Sequence, residues 1–248
     1  GKYIDSRAEY EFSTTDKVVH YLWLVDSPED IASIQASFAT LDEVYIADGH
    51  HRSASSALLG SENRGKTPSL DSFMAFFLSE TTIKIHEFNR LVKSLGELTV
   101  DEFLASVSER FSVVELKKNL YKPETLHEMS MYVNGHWYAL YAKPGSYNPE
   151  NPVESLDCNI LSENLLSPVL GIKDLRTDDR VGFLPGDLGP EGLMAKVDSG
   201  EFAVGFGLLP VSVEQLKEVA NAEMVMPPKS TYIEPKLRSG ITIYKLRD

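Results

Sequence analysis

The chain has 248 residues, 42% of them hydrophobic and 25% charged, which is enough apolar material for one large globular domain or two small ones. A net charge of −13 argues against a general nucleic-acid or membrane-surface binder, because both surfaces are polyanions. It leaves room for a small phosphorylated ligand, which responds to the local field of a pocket. Cys158, the single cysteine, excludes an intrachain disulfide and fits a reducing, cytoplasmic compartment. Its expected role is that of a small, partly buried helix residue. No apolar stretch approaches the length of a membrane span and no signal peptide is visible. The opening Gly1-Lys2-Tyr3 lacks a methionine and reads as a processed or engineered start, or as a piece of a longer protein.

Residues 17–25 alternate as an apolar strand. Ser27-Pro28-Glu29-Asp30 then predicts a helix start, with an N-cap serine, proline in the first turn and acids at the positive end. Ile31, Ile34 and Phe38 fall on one face of that helix. Val44-Tyr45-Ile46-Ala47 is a short run of strand type. It passes through Asp48-Gly49-His50-His51-Arg52 into a small-residue helix that Gly60 is placed to stop. The first N–H groups of such a helix have no intrahelical partner, and the dipole there is positive. With Arg52 and the imidazoles added, this is an anion pocket for phosphate. Two other readings stand beside it: a polar helix cap, and a metal site built on Asp48, His50 and His51. Adjacent histidines diverge from a helix start, so the metal reading ranks below anion binding.

Residues 61–71 read as a surface loop, and Phe73 to Leu78 as a central strand covered on both faces. Ile83 to Val92 is a strand leading to Asn89 and Arg90, candidates for ligand binding because ligands collect at strand ends. His86 within it reads as a half-buried structural histidine. Thr99 to Glu102 is a capping box with Phe103, Leu104 and Val107 inward. Asn134-Gly135 between two alternating strands, 129–133 and 136–141, predicts a tight antiparallel hairpin with aromatics packed across it.

Turn formers at 143–155 mark an internal boundary. They divide a phosphate- or nucleotide-binding half, 1–143, from a C-terminal α/β half, 153–248, that packs on it. A helix is expected from about Leu156 to Leu170, stopped by Gly171, strands at 181–184 and 202–209 with a short helix at 192–197 between them, and a capped helix from Ser212 burying Leu216, Val219 and Ala220. The loop 226–240 crowds Lys229, Ser230, Thr231, Lys236 and Arg238 into an otherwise acidic chain and suits a phosphate or carboxylate. A last strand is expected at 241–246. The class is mixed α/β (α+β) with an antiparallel component.

Tyr-Ile-Ala-Asp-Gly-His-His-Arg at 45–52, Phe-Asn-Arg at 88–90, Leu-Asp-Cys-Asn-Ile-Leu at 156–161 and Met-Pro-Pro-Lys-Ser-Thr-Tyr at 226–232 together resemble the DUF1015 family. That family extends further at its N-terminus, so the chain resembles its C-terminal part. Gly49-His50-His51-Arg52 after an apolar strand is also similar to the Gly-x-His-Arg phosphate loop of the ParB/sulfiredoxin superfamily, which includes kinases of free serine. This resemblance implies a strand–turn–helix core that binds ATP or ADP with Mg²⁺, and phosphoryl transfer to a small molecule such as the amino acid serine. Gly49, His51 and Arg52 would hold phosphates. Asp48 is open to either of two roles, Mg²⁺ ligand or base, and Lys229 and Lys236 would neutralise charge or hold a substrate carboxylate. His50 stands where sulfiredoxins carry their reactive cysteine, which removes that chemistry. The alternatives are a nucleotide sensor without chemistry, as in partition proteins, and a phosphohydrolase using His50 or His51 as acid or nucleophile.

Overall fold

In the computed structural model, which describes residues 2–15, 17–117, 120–236 and 239–246, chain contacts divide the protein into residues up to Ile46 and residues from Ala47 onward. In the first unit β1 (Tyr10–Ser13) and β2 (Val19–Leu22) pair antiparallel. Helix α1 (Pro28–Phe38) begins where the sequence placed it, with Ser27 Oγ accepting from Asp30 N at 3.4 Å. Ile31, Ile34 and Phe38 share a face, yet all three remain exposed. The run Val44-Tyr45-Ile46, expected as a strand, is in no ladder. Strand propensity without a partner to receive its N–H and C=O groups does not make a sheet.

The second unit begins with α2 (His50–Glu62), which runs through Gly60 rather than stopping there. Strands β3 (Lys84–His86) and β4 (Phe88–Val92) follow, separated by Glu87. The expected central strand at 73–78 is corrected: this run joins no ladder, and Phe73, Phe76 and Phe77 are each about half exposed. The sheet's interior positions go instead to strands from later in the chain.

Helix α3 (Val100–Arg110) carries the full capping box, with Thr99 Oγ1 accepting from Glu102 N and Glu102 Oε2 accepting from Thr99 N. Then come β5 (Phe111–Leu116), β6 (Glu128–Val133) and β7 (His136–Ala142). Asn134 and Gly135, at φ +49° and +79°, turn β6 into β7, and Tyr132 packs on Trp137 with ring centroids 4.9 Å apart. Helix α4 (Asp157–Leu161) continues as a wider turn to Leu166, and the chain leaves it through Gly171 at φ +67°. Strand β8 (Val181–Pro185), helix α5 (Gly189–Asp198), strand β9 (Val204–Gly207) and helix α6 (Val213–Asn221) complete this part. Ser212 and Gln215 cap α6, which buries Leu216 and Val219 but leaves Ala220 exposed.

Six strands form one sheet in the order β5-β7-β6-β9-β4-β8, antiparallel throughout, with members from both sides of 143–155. The two-residue period of the strands separates two cores. Val92, Met129, Met131 and Phe206 pack with Phe103 and Val107 of α3, Ile160 and Leu161 of α4 and Val219 of α6. Leu91, Tyr132 and Trp137 pack with Leu193 and Val197 of α5. The chain is therefore mixed α/β, with helices on both faces of an antiparallel sheet. A two-stranded ladder joins β10 (Tyr232–Glu234) to β3. The strand expected at 241–246 does not form, and Arg238 lies outside the described residues. Among the described residues no helix is long and apolar enough to cross a membrane.

Glu128 locks the start of the hairpin. It accepts from the hydroxyls of Tyr121 and Tyr141, the amides of Glu124 and Thr125, and Thr125 Oγ1. Burial by itself would raise this carboxyl, but the Tyr121, Glu124, Tyr141 and Thr125 donors outweigh it and hold it down from 4.5 to about 2. A carboxyl depressed in the fold adds stability above its unfolded pKa and loses it as pH falls. Acid unfolding of the wild type should therefore steepen between about pH 4.5 and 2. Glu128→Gln should cost about 1–3 kcal/mol at pH 7 and flatten that acid dependence in urea melts taken at several pH values.

Candidate functional site

Gly49 caps α2 in the left-handed region, φ 80° and ψ 27°, with no side chain bonded to the helix start and no acid in the first turn. The N–H groups of that turn are left for an outside acceptor. A Cβ on Gly49 would lie 3.0 Å from Arg52 Nη2, so the guanidinium folds back over the glycine. Arg52 Nη2 is 3.7 Å from Asp48 Oδ2, and Lys236 Nζ reaches the same oxygen at 3.6 Å. Two cations from distant segments thus meet one carboxylate at the positive end of a helix.

The route by which Lys236 arrives is a ladder of aromatic contacts. Its ammonium lies 4.9 Å from the Tyr232 ring centroid, Tyr232 meets the Phe88 ring edge-on at 5.7 Å, and Lys229 lies over the other end at 5.3 Å from Phe88. His86, half-buried, contacts Glu234 at 3.1 Å and helps to hold β10 on β3.

The expected site residues therefore separate into two groups. Asp48, Gly49, His50, His51, Arg52 and Lys236 gather at the start of α2. Asn89, Arg90 and Ser230 are interior. Asn89 Oδ1 accepts from Leu208 N at 3.0 Å, extending the β4–β9 ladder. Arg90 donates to Phe88 O and to Pro228 O, and Ser230 Oγ donates to Pro227 O at 2.5 Å. Each therefore spends hydrogen bonds on backbone, although Arg90 Nε is buried without a partner among the described residues. Thr231 is half-buried and Lys229 is exposed.

The concave surface expected at 48–52 is not what surrounds these residues. Arg52 is 82% exposed and Asp48 59%, and His50 and His51 are exposed as well. Without a paired strand before it, the turn has no sheet to wall one side. Two recesses lie elsewhere in this unit, and both are lined by Glu87, which sequence reasoning passed over. Asp157, buried and bonded through Oδ1 to His127 N at 3.0 Å and to His127 Nδ1 at 3.1 Å, was also not singled out for chemistry. Burial raises its carboxyl to about 6, against the opposing pull of His127. Among the described residues no three His, Cys, Asp or Glu side chains gather as a metal site.

The profile of the family described as "Protein of unknown function (DUF1015)" matches residues 2–159. The chain belongs to the DUF1015 family. Similar solved structures include a conserved hypothetical protein from Pyrococcus furiosus, at 16% identity and TM-score 0.44, covering 83% of this chain and 81% of that one. A free serine kinase in complex with AMP aligns at 16% identity and TM-score 0.44 over 85% and 80% of the two chains. SbnI from Staphylococcus aureus, with a C-terminal truncation, aligns at 12% and 0.44 over 89% and 80%. No curated protein matches this DUF1015 chain.

Gly49→Ala tests the local geometry. The new Cβ meets a left-handed backbone and the Arg52 guanidinium together. It should lower stability by about 1–2 kcal/mol in denaturant melts. Gly49→Asn, which tolerates that conformation better, should lose less.

Proposed function

We propose that this DUF1015 chain is a small-molecule phosphotransferase of the free-serine-kinase type, holding the phosphates of ATP or ADP at the amino end of α2. The observation that supports it best is the meeting of Arg52 and Lys236 at Asp48, over a helix start with no cap of its own. Phosphoryl transfer asks a protein mainly for positioning and charge neutralisation. The first-turn amides with Gly49, His51 and Arg52 would take phosphate oxygens, and Lys236 would approach from the opposite segment. Lys229, Ser230 and Thr231 lie on the same loop, of which Lys229 is free to reach a ligand while Ser230 shapes the backbone. Arg90 would act from the interior by holding that loop through Pro228 O, and Asn89 by fixing the neighbouring strand at Leu208 N.

Mg²⁺ usually needs only one or two protein carboxylates, with ligand phosphates and water supplying the rest. Asp48, a single oxygen donor beside the cations, fits that requirement. Bound there, the ion would neutralise charge developing on the phosphates. Asp48 would otherwise serve as the base for the acceptor hydroxyl, and His50 as a second proton carrier. The acceptor would be a small hydroxyl compound such as a free amino acid, and the working compartment the cytoplasm.

A sensor that binds nucleotide without turnover is the second reading, favoured by the same carboxylate already lying between two cations. Incubation with ADP or ATP and free amino acids, followed by ³¹P NMR, separates them: a new phosphomonoester signal supports transfer, and unchanged nucleotide supports the sensor.

Arg52→Ala should weaken ADP and pyrophosphate binding by about ten- to a hundredfold, the worth of one charge-assisted phosphate contact. Arg52 is 82% exposed, so stability should change by only about 0.5 kcal/mol. Calorimetry alongside a melting curve reads both. Unchanged affinity would make Arg52 a bystander, and a collapsed melting temperature would make it structural.

A further inference from the structure

Lys236 reaches the start of α2 on a flexible side chain, and its ion pair with Asp48 is a weak tether. The pair is long, at 3.6 Å, and both groups are about half exposed. Water and salt compete with such a pair, so it fixes the place of an ammonium poorly. A bound phosphate would loosen it further by taking over the part of Asp48 as counter-anion. The other contact of the ammonium is the face of the Tyr232 ring, 4.9 Å from the centroid. A ring face attracts a cation through its quadrupole. Unlike Asp48, it carries no net charge that an incoming phosphate has to displace.

The ring itself is held from several directions. Tyr232 opens β10, where it stands opposite His86 of β3. The His86 ring lies against it at 6.1 Å, and Phe88 meets it at 5.7 Å with the two planes at 87°. Edge-to-face contact of that kind favours one ring orientation. Phe88 belongs to β4 and packs edge-on against Phe183 of β8 at 6.4 Å, so the row of rings runs back into the six-stranded sheet. A tyrosine pinned in this way has little freedom left to lose, whereas an unseated lysine has much. Lys229, on the same loop, lies over Phe88 of the same row.

We propose that Tyr232 is a positioning residue of the phosphate site: its ring seats the Lys236 ammonium beside Asp48 and keeps it there when a phosphate replaces Asp48 as the counter-anion. The role rests on the phosphate reading of the α2 start. Tyr232 touches no phosphate itself and acts only through Lys236. With the ammonium already seated in the free protein, less side-chain freedom is lost on binding. What the site uses is the π face, so phenylalanine can replace the tyrosine and an aliphatic residue cannot.

Calorimetric titration with pyrophosphate at pH 7.5, together with NMR of the lysine side chains, tests it on the full chain. Lys236→Ala should weaken pyrophosphate roughly tenfold and Tyr232→Leu roughly three- to tenfold, while Tyr232→Phe should stay within about twofold of the wild type. Tyr232→Leu combined with Lys236→Ala should bind no worse than Lys236→Ala alone, because the ring acts only through the ammonium. Without any ligand, the Lys236 Cε protons, assigned as the signal missing from Lys236→Ala, should be shifted upfield by the ring in the wild type and in Tyr232→Phe, but not in Tyr232→Leu. An unshifted Lys236 signal in the wild type, wild-type affinity in Tyr232→Leu, a Tyr232→Phe as weak as Tyr232→Leu, or losses that add in the double variant would each overturn the proposal. If Tyr232→Leu fails to fold, the wild type still decides: Lys236 should keep its upfield shift with pyrophosphate bound, and losing it would overturn the role. A wild type that binds no pyrophosphate would remove the phosphate reading and this role together, whereas wild-type binding with an unaltered Tyr232→Leu would remove this role alone.

Discussion

A guanidinium in the middle of a sheet has to be answered for, and much of this unit is arranged around doing so. Arg90 is fully buried on β4, and among the described residues no carboxylate pairs with it. Burial pulls its pKa down from the ordinary arginine value. It is held instead by Phe88 O, by Pro228 O and by the Phe183 ring, 4.9 Å from the guanidinium carbon. A buried cation is tolerated only when such contacts replace its water. The contact to Pro228 ties the 226–230 segment to β4. Strand β10 then follows onto β3, and Lys236 comes within reach of Asp48. The position of a surface cation thus follows from an interior one.

The same strand joins the two cores. Leu91 and Val92, adjacent in sequence, face α5 on one side and α3, α4 and α6 on the other. β4 pairs with both β8 and β9, so its register is fixed from two directions. A one-residue slip would exchange the cores and carry Arg90 out of its cage.

What could be read from the sequence was what short segments decide for themselves. The caps at Ser27, Thr99 and Ser212 and the Asn134-Gly135 turn need only a few neighbouring residues, and they formed where expected. Val44 to Ile46 and Phe73 to Leu78 have strand composition, but a strand requires a partner that composition does not name. Asp48 to Arg52 was legible as a helix start because glycine, histidines and arginine mark one locally. Arg90 looked like a ligand residue because strand ends collect ligands, and its cage comes from Phe183 and Pro228, far along the chain. Glu87 was invisible for the opposite reason. A glutamate beside an alternating strand reads as a solvent face, and only the close approach of Gly186 reveals that it points inward.

The charged groups of this unit differ in how firmly they are committed. Asp48, Arg52 and Lys236 are exposed, at 3.6–3.7 Å separations, and ion pairs of that kind contribute about 0–1 kcal/mol. An incoming phosphate can replace Asp48 as the counter-anion at little cost, and doing so would free the carboxylate beside the very phosphate it has yielded to. Glu87 and Asp157 are buried, and their desolvation is offset by Lys122 and by His127 respectively. The exposed cluster is therefore suited to exchange of a charged group, whereas the buried acids are fixed parts of the interior.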